Sequence, residues 1–217
     1  MDGVLFDSMP GHALAWVEAV KRFGLTMTAE EVYMNEGRTG AGTINALAQR
    51  TWGRDATETE IAAIYKTKSD IFNEYFARRG EAPVMVGVRD VLNEVRTRGL
   101  MRVIVTGSGQ PSLLDNLNRH FPGMFVPELM VTAFEVKRGK PDPEPYLMGL
   151  QKARIDADEA IVVENAPLGV EAAHAAGIFT VAVNTGPLPD ATLWAAGADR
   201  VYPNMHALAA DIDTLMV

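Results

Sequence analysis

Met1-Asp2-Gly3-Val4-Leu5-Phe6-Asp7-Ser8 opens the chain. An acid and a glycine lead into an apolar run that ends in Asp-Ser, and no strand stands in front of them. The stretch reads as a phosphate-handling loop without its first half. Three later stretches carry polar residues suited to meet it: Val103 to Ser108, Lys140-Pro141, and Val162 to Asn165. What these four stretches do together decides the fold and the chemistry.

Outward from that loop the chain has two styles. Ala13, Trp16, Val17, Val20 and Phe23 recur at helical spacing, and Gly24 stops the helix. Thr28 to Glu31 and Thr57 to Glu60 each carry the Thr-x-x-Glu pattern of a capping box. Thr57 to Arg79 reads as one long helix, so residues 12–80 are helical with no convincing strand. From Val84 onward, short apolar strands at 101–105, 129–132, 160–163, 179–183 and 200–202 alternate with amphipathic helices. That alternation predicts an α/β fold with a parallel sheet. Pro10-Gly11 and Gly80 to Pro83 bound the helical part. The expected organisation is a Rossmann-like α/β core of residues 1–10 and 81–217 with a helical cap, 11–80, inserted.

Bulk properties narrow the function. A length of 217 residues suits one large domain or a core with an inserted subdomain. The net charge of −8 argues against nucleic acid as the main partner. It leaves room for a small phosphorylated substrate, which needs only a local cation or a metal. With no cysteine, disulfides, thiolate nucleophiles and Cys-based zinc sites are excluded. No apolar run reaches the ~18 residues of a membrane span, and no secretory signal is present. A cytoplasmic monomer with no membrane partner is the expectation.

In open parallel sheets, ligands bind beyond the carboxyl ends of the strands. Thr106, Gly107 and Ser108 follow the 101–105 strand, where a hydroxyl and backbone N–H groups suit phosphate oxygens. Lys140 follows the 129–132 strand. Glu164 and Asn165 follow the 160–163 strand as adjacent oxygen ligands, hard enough for Mg²⁺. Together with Asp2 they form an inventory for phosphoryl transfer: cations to offset phosphate charge and a carboxylate to move a proton.

In these motifs the chain resembles the haloacid dehalogenase superfamily, in the subgroup with a helical cap, and most of all its β-phosphoglucomutase-like and sugar-phosphate phosphatase members. The family's first motif, Asp-x-Asp-Gly-[Val/Thr]-[Leu/Ile]-x-Asp-[Ser/Thr], is matched by Met1 to Ser8 from its second position. Val103 to Ser108 match the second motif, Lys140-Pro141-Asp142-Pro143 the third, and Val162 to Gly169 the fourth. The resemblance implies that Asp2 is the general acid/base and gives its carbonyl to Mg²⁺. It implies that Thr106 holds phosphoryl oxygens, with Gly107 and Ser108 beside it, and that Lys140 neutralises nucleophile and phosphate. Glu164 and Asn165 would hold Mg²⁺ directly or through water. His12 falls where mutase-like members carry a His that touches the acid/base, and Gly37 and Arg38 fall in the substrate-reading cap loop.

Three departures accompany the match. The nucleophilic aspartate of the first motif falls before Met1, as does the central strand that carries it. The expectation is therefore that Met1 is the variable residue of Asp-x-Asp-Gly, through truncation or start assignment, and that residues 1–217 alone lack the attacking group and are inactive. The second acid of the fourth motif is Asn165, which keeps a carbonyl ligand and loses a charge. The arginine of the mutase-type cap loop is replaced by Gly40.

Several residues keep two readings. His12 reads equally as a surface residue at a helix start, and Thr106 and Ser108 also suit capping of the next helix. Asp7 reads as a hinge or turn residue rather than a nucleophile. His120, His174 and His206 read as structural or solvated, and Lys66 and Lys68 as solvated. The expected function is a Mg²⁺-dependent phosphohydrolase, with β-phosphoglucomutase-like transfer as one alternative and an inactive phosphate-binding protein as the other.

Overall fold

The computed structural model describes residues 1–108 and 113–215. The first helix, α1 (Met9–Lys21), starts one residue before Pro10, which occupies its first turn where a missing N–H costs nothing. Pro10 is thus inside the helix and not the boundary the sequence suggested. Helices α2 (Ala29–Met34), α3 (Gly40–Trp52) and α4 (Glu58–Arg79) complete the cap. Both expected capping boxes form: Thr28 with Glu31, and Thr57 with Glu60. Gly53 ends α3 at φ 67°, a backbone shape that side chains resist.

The cap has its own apolar centre. Trp16, Val20, Ile44, Leu47 and Ile64 form one buried cluster. Each such side chain contributes about 1.5–3 kcal/mol on burial. Among the described residues none beyond 65 joins that cluster; Ile71 packs separately with Ala15 and Ala19.

The core follows: α5 (Val88–Thr97), β1 (Ile104–Val105), α6 (Leu113–His120), β2 (Met130–Val131), α7 (Glu144–Ala153), β3 (Ile161–Glu164), α8 (Pro167–Ala175), β4 (Phe179–Val183), α9 (Asp190–Ala195), β5 (Arg200–Tyr202) and α10 (Met205–Asp211). Every strand pairing is parallel. α5 begins four residues later than the apolar pattern from Val84 implied, because Gly87 (φ 91°) packs against the backbone of Met205 and His206 and turns the chain there. Strands β1 and β2 pair with each other, and β3, β4 and β5 form a second sheet. Among the described residues no strand joins the two.

The opening loop lies between these halves. Val4, Leu5 and Phe6 are buried in one cluster with Ile104 from β1 and Val181 and Val183 from β4. Its backbone closes on itself: the Gly3 N–H donates to the Phe6 carbonyl at 2.8 Å, and the Leu5 N–H to Met1 at 2.7 Å. The two cap linkers run side by side. The Asp7 N–H donates to Pro83 at 2.8 Å and the Met85 N–H to Leu5 at 3.0 Å. The Asp7 side chain is exposed. No helix of the described residues is long and apolar enough to cross a membrane.

Candidate active site

Asp2 is the centre of a chain of contacts that crosses from core to cap. Its Oδ1 accepts the Ser8 hydroxyl at 2.6 Å and lies 3.3 Å from His12 Nε2. The other ring nitrogen, Nδ1, lies 2.8 Å from Lys68 Nζ. An ammonium only donates, so Nδ1 accepts and Nε2 carries the hydrogen that faces Asp2. The ring is stacked on Phe72 at 4.3 Å. His12 is therefore no surface residue: Lys68 sets its tautomer and Phe72 its plane.

These contacts decide the protonation states. Burial alone would raise the Asp2 carboxyl. The His12 ring and the Ser8 hydroxyl oppose it, and Asp2 is held well below the ordinary carboxylate range. Burial, then the Lys68 charge, lowers His12, against an opposing pull from Asp2. Burial lowers Lys68 to about 8.

Lys68 corrects the expectation of a solvated lysine. It is 3% exposed, with its ammonium 4.9 Å from the Phe72 ring centre and 5.6 Å from that of Trp16. The signal was available, since Lys68 lies on the apolar stripe of α4 between Ile64 and Ile71. A lysine whose pKa falls from 10.5 to about 8 carries a cost of roughly 3 kcal/mol in the folded state. The cost is full below the folded pKa and fades as pH rises toward the unfolded value. Lys68→Met is accordingly expected to raise unfolding free energy by about 1–3 kcal/mol at pH 7, after allowing for the lost ring contacts. The gain should shrink near pH 10. Urea titrations at the two pH values check this, and a destabilised variant at pH 7 would contradict it.

The second cluster lies in the core. Lys140 donates to Glu164 Oε1, and the Tyr146 hydroxyl donates to the same oxygen at 2.6 Å. The Asn165 N–H donates to Oε2 at 3.0 Å. Gly169 lets the carboxylate come this close, since a Cβ there would stand 2.2 Å from Glu164 Cδ. Burial would raise the Glu164 carboxyl, but Lys140 and these donors hold it below its usual value. Tyr146 was not singled out in the sequence. Its only signal was a tyrosine on the buried face of α7, where a hydroxyl needs a partner.

The phosphate-type loop follows β1. The Thr106 N–H donates to Val131, and its hydroxyl accepts the Ser108 N–H at 3.1 Å. Thr106 thus shapes its own loop; the start of α6, where a capping role would show, lies outside the described residues. The cap presses directly on this loop. A Cβ on Gly107 would lie 2.6 Å from the Gly37 carbonyl, and one on Gly37 would lie 2.9 Å from Lys140 Cδ. Arg38 is half-buried, and its Nε is a buried donor with no hydrogen-bond partner among the described residues. A side chain at Gly40 would meet the Tyr65 ring at 2.4 Å, so the arginine of mutase-type caps has no room here.

Asp2, His12, Gly37, Arg38, Thr106, Gly107, Ser108, Lys140, Glu164 and Asn165 all line one chamber between cap and core. The same chamber admits Glu36, which the sequence did not mark. Its Oε2 accepts the Asn165 Nδ2–H at 2.8 Å. Burial, then Glu164 and Asp2, pushes the Glu36 carboxyl well above its ordinary value. Gly3 (φ 68°) gives Asn165 its place, since a Cβ there would overlap Nδ2 at 2.0 Å.

The donor set fits Mg²⁺ in kind: the oxygens of Asp2 and Asn165 are hard ligands, and Mg²⁺ commonly keeps waters and substrate phosphate as further ligands. Glu164 stands behind them, with both oxygens engaged by protein donors. Among the described residues there is no group of three or more His, Cys, Asp or Glu placed to hold a metal by themselves.

Residues 1–183 match the family described as haloacid dehalogenase-like hydrolase. Hexitol phosphatase A of Escherichia coli is 33% identical over 184 residues, 85% of this chain and 80% of that protein. A phosphorylated carbohydrates phosphatase of Thermotoga maritima is 29% identical over 178 residues, 82% of this chain and 79% of that protein. Among solved structures, a Bacteroides vulgatus protein provisionally named as a β-phosphoglucomutase matches at 53% identity and TM-score 0.95. That match covers 100% of this chain and 86% of the other.

Proposed function

The chain belongs to the haloacid dehalogenase-like hydrolase family, and from that premise we propose that it is a Mg²⁺-dependent phosphohydrolase of small sugar or sugar-alcohol monophosphates. The observation that carries the reading is one chamber in which Asp2, Thr106 and Lys140 face a closed cap loop.

In this reading an aspartate two positions ahead of Asp2 in motif order attacks phosphorus in line. The new O–P bond forms as the bond to the leaving oxygen breaks. Asp2 gives its proton to that oxygen, then takes one from the water that cleaves the aspartyl phosphate. At rest Asp2 is ionised, which suits the second step. The charge of an incoming phosphate dianion raises its proton affinity for the first. The Thr106 hydroxyl and Lys140 ammonium bind phosphoryl oxygens, and Arg38, with an unpartnered Nε, offers the leaving group a donor. Asp2, Asn165 and, behind them, Glu164 would hold Mg²⁺, which when bound offsets phosphate charge. Closure of the cap then sequesters the reaction from bulk water.

β-Phosphoglucomutase-like transfer is the second reading, favoured by the 53% identical structural relative. The filled space at Gly40 favours hydrolysis. A panel of hexitol and sugar monophosphates decides between them. The assay uses a polypeptide that carries the first-motif aspartate, and we expect inorganic phosphate from it. Conversion of β-glucose 1-phosphate to the 6-phosphate without phosphate release would establish the mutase instead.

A further inference from the structure

The chamber that gathers the motif residues has a volume of about 90 Å³. A cavity of about 150 Å³ is needed to hold a single benzene ring, so the chamber admits a phosphoryl group and little of the molecule behind it. A second cleft, of about 340 Å³, begins where the chamber ends. Met1, Asp2, His12 and Ser108 line both spaces. In the proposed reaction Asp2 gives its proton to the leaving oxygen, which puts that oxygen at the boundary between the two.

The cleft suits uncharged, hydroxyl-rich matter. Helix α4 of the cap contributes Phe72, Asn73 and Phe76, and α6 of the core contributes Asn116 and Arg119. The two phenylalanine rings are half-buried and meet edge to face at 4.9 Å, and ring faces of this kind pack against the C–H groups of a carbon chain. Among the described residues no hydrogen bond engages the side chain of Asn73 or Asn116, so each amide offers a carbonyl acceptor and two N–H donors. Arg119 is the only Lys or Arg side chain among the described residues that line the cleft. It is paired with Glu81, which also meets His120 at 3.0 Å. Asp115 adds a further acid. A second phosphate would find no open lysine or arginine there.

We propose that this cleft is the subsite for the carbohydrate end of the substrate: a linear, uncharged polyol chain runs past Asp2 and is read by Asn73 and Asn116 as specificity-determining residues. The proposal rests on the phosphohydrolase reading above and narrows it to monophosphates whose carbon chain is longer than the chamber can hold. Because α4 belongs to the cap and α6 to the core, such a chain spans the two only when the cap is closed.

The test compares glycerol 3-phosphate, erythritol 4-phosphate and sorbitol 6-phosphate, with p-nitrophenyl phosphate as reference, on a polypeptide that carries the first-motif aspartate. The value of kcat/KM should rise with chain length. Asn73→Ala combined with Asn116→Ala should lower it by about tenfold for sorbitol 6-phosphate and leave glycerol 3-phosphate within about twofold, since the short ester makes no contact with the lost amides. Asn73→Trp fills the cleft from an exposed helix position and should give the same pattern without removing Asn116. Values that do not rise with chain length, or variants that lower all three esters alike or none of them, would overturn the subsite while p-nitrophenyl phosphate turnover keeps the phosphohydrolase reading. No phosphate from any of the four compounds would overturn that reading, and the subsite with it.

Discussion

Lys140→Ala is expected to cost about 3–5 kcal/mol of folding stability, because it leaves Glu164 as an uncompensated buried charge. Lys140 is 5% exposed and Glu164 7%. The carboxylate keeps Tyr146 and the Asn165 N–H as donors, and neither carries charge. A loss of this size is a large share of the roughly 5–15 kcal/mol available to a domain. Its pH dependence has a definite sign. The Glu164 pKa is depressed in the intact protein, so the pair's contribution is present above the unfolded value of 4.5 and is lost as pH falls through the lower, folded one. The gap between Lys140→Ala and the unsubstituted protein should therefore be widest near pH 7 and narrow below pH 4.5. Replacing both residues, as Lys140→Met with Glu164→Gln, should recover most of the loss, since the buried charge is gone. Urea titration midpoints report all three. A single-variant loss under about 1 kcal/mol, the scale of an exposed pair, would show that solvent reaches the pair.

Asp2→Asn carries the largest expected effect on rate. General acid–base catalysis contributes about 10²–10⁴-fold, and the amide can neither give a proton to an alkoxide nor take one from water. The loss should fall on kcat for alkyl phosphates, because the proposed phosphoryl contacts of Thr106 and Lys140 are untouched. Ser8 and His12 still find an acceptor in the amide oxygen, so stability should change little. Steady-state phosphate release with a hexitol phosphate, measured on a polypeptide that carries the first-motif aspartate, checks the size. A fall confined to KM would move the proton transfer away from Asp2.

Much of this architecture was legible because local rules and global packing agree. The strand positions, the two capping boxes and the helical character of residues 12–80 follow from periodicity and end signals. Asp2, Thr106, Gly107, Ser108, Lys140, Glu164 and Asn165 line one chamber because each sits in the opening loop or follows a strand, and His12, Gly37 and Arg38 reach the same chamber from the cap. The sequence did not reveal partners set by the closed cap. Glu36 lies beside the marked pair Gly37-Arg38, yet only the approach of cap to core brings it to Asn165. Lys68 is 56 residues from His12 in sequence, and its polar type hid its place on an apolar stripe. Tyr146 is explained only by the carboxylate it meets, which comes from β3. Boundaries shifted where backbone geometry overrode pattern, as at Gly87 and Pro10.

The account turns on Asp2 moving protons for an aspartyl-phosphate reaction, and one measurement reads that directly. An aryl phosphate with a good leaving group needs no proton in the first step, whereas water still needs a base in the second. Rapid mixing of p-nitrophenyl phosphate with Asp2→Asn, in a polypeptide that carries the first-motif aspartate, should release one equivalent of nitrophenolate per enzyme in a burst and then nearly stop, as the phosphoenzyme accumulates. Steady release at the rate of the unsubstituted enzyme, with no burst, would contradict the account.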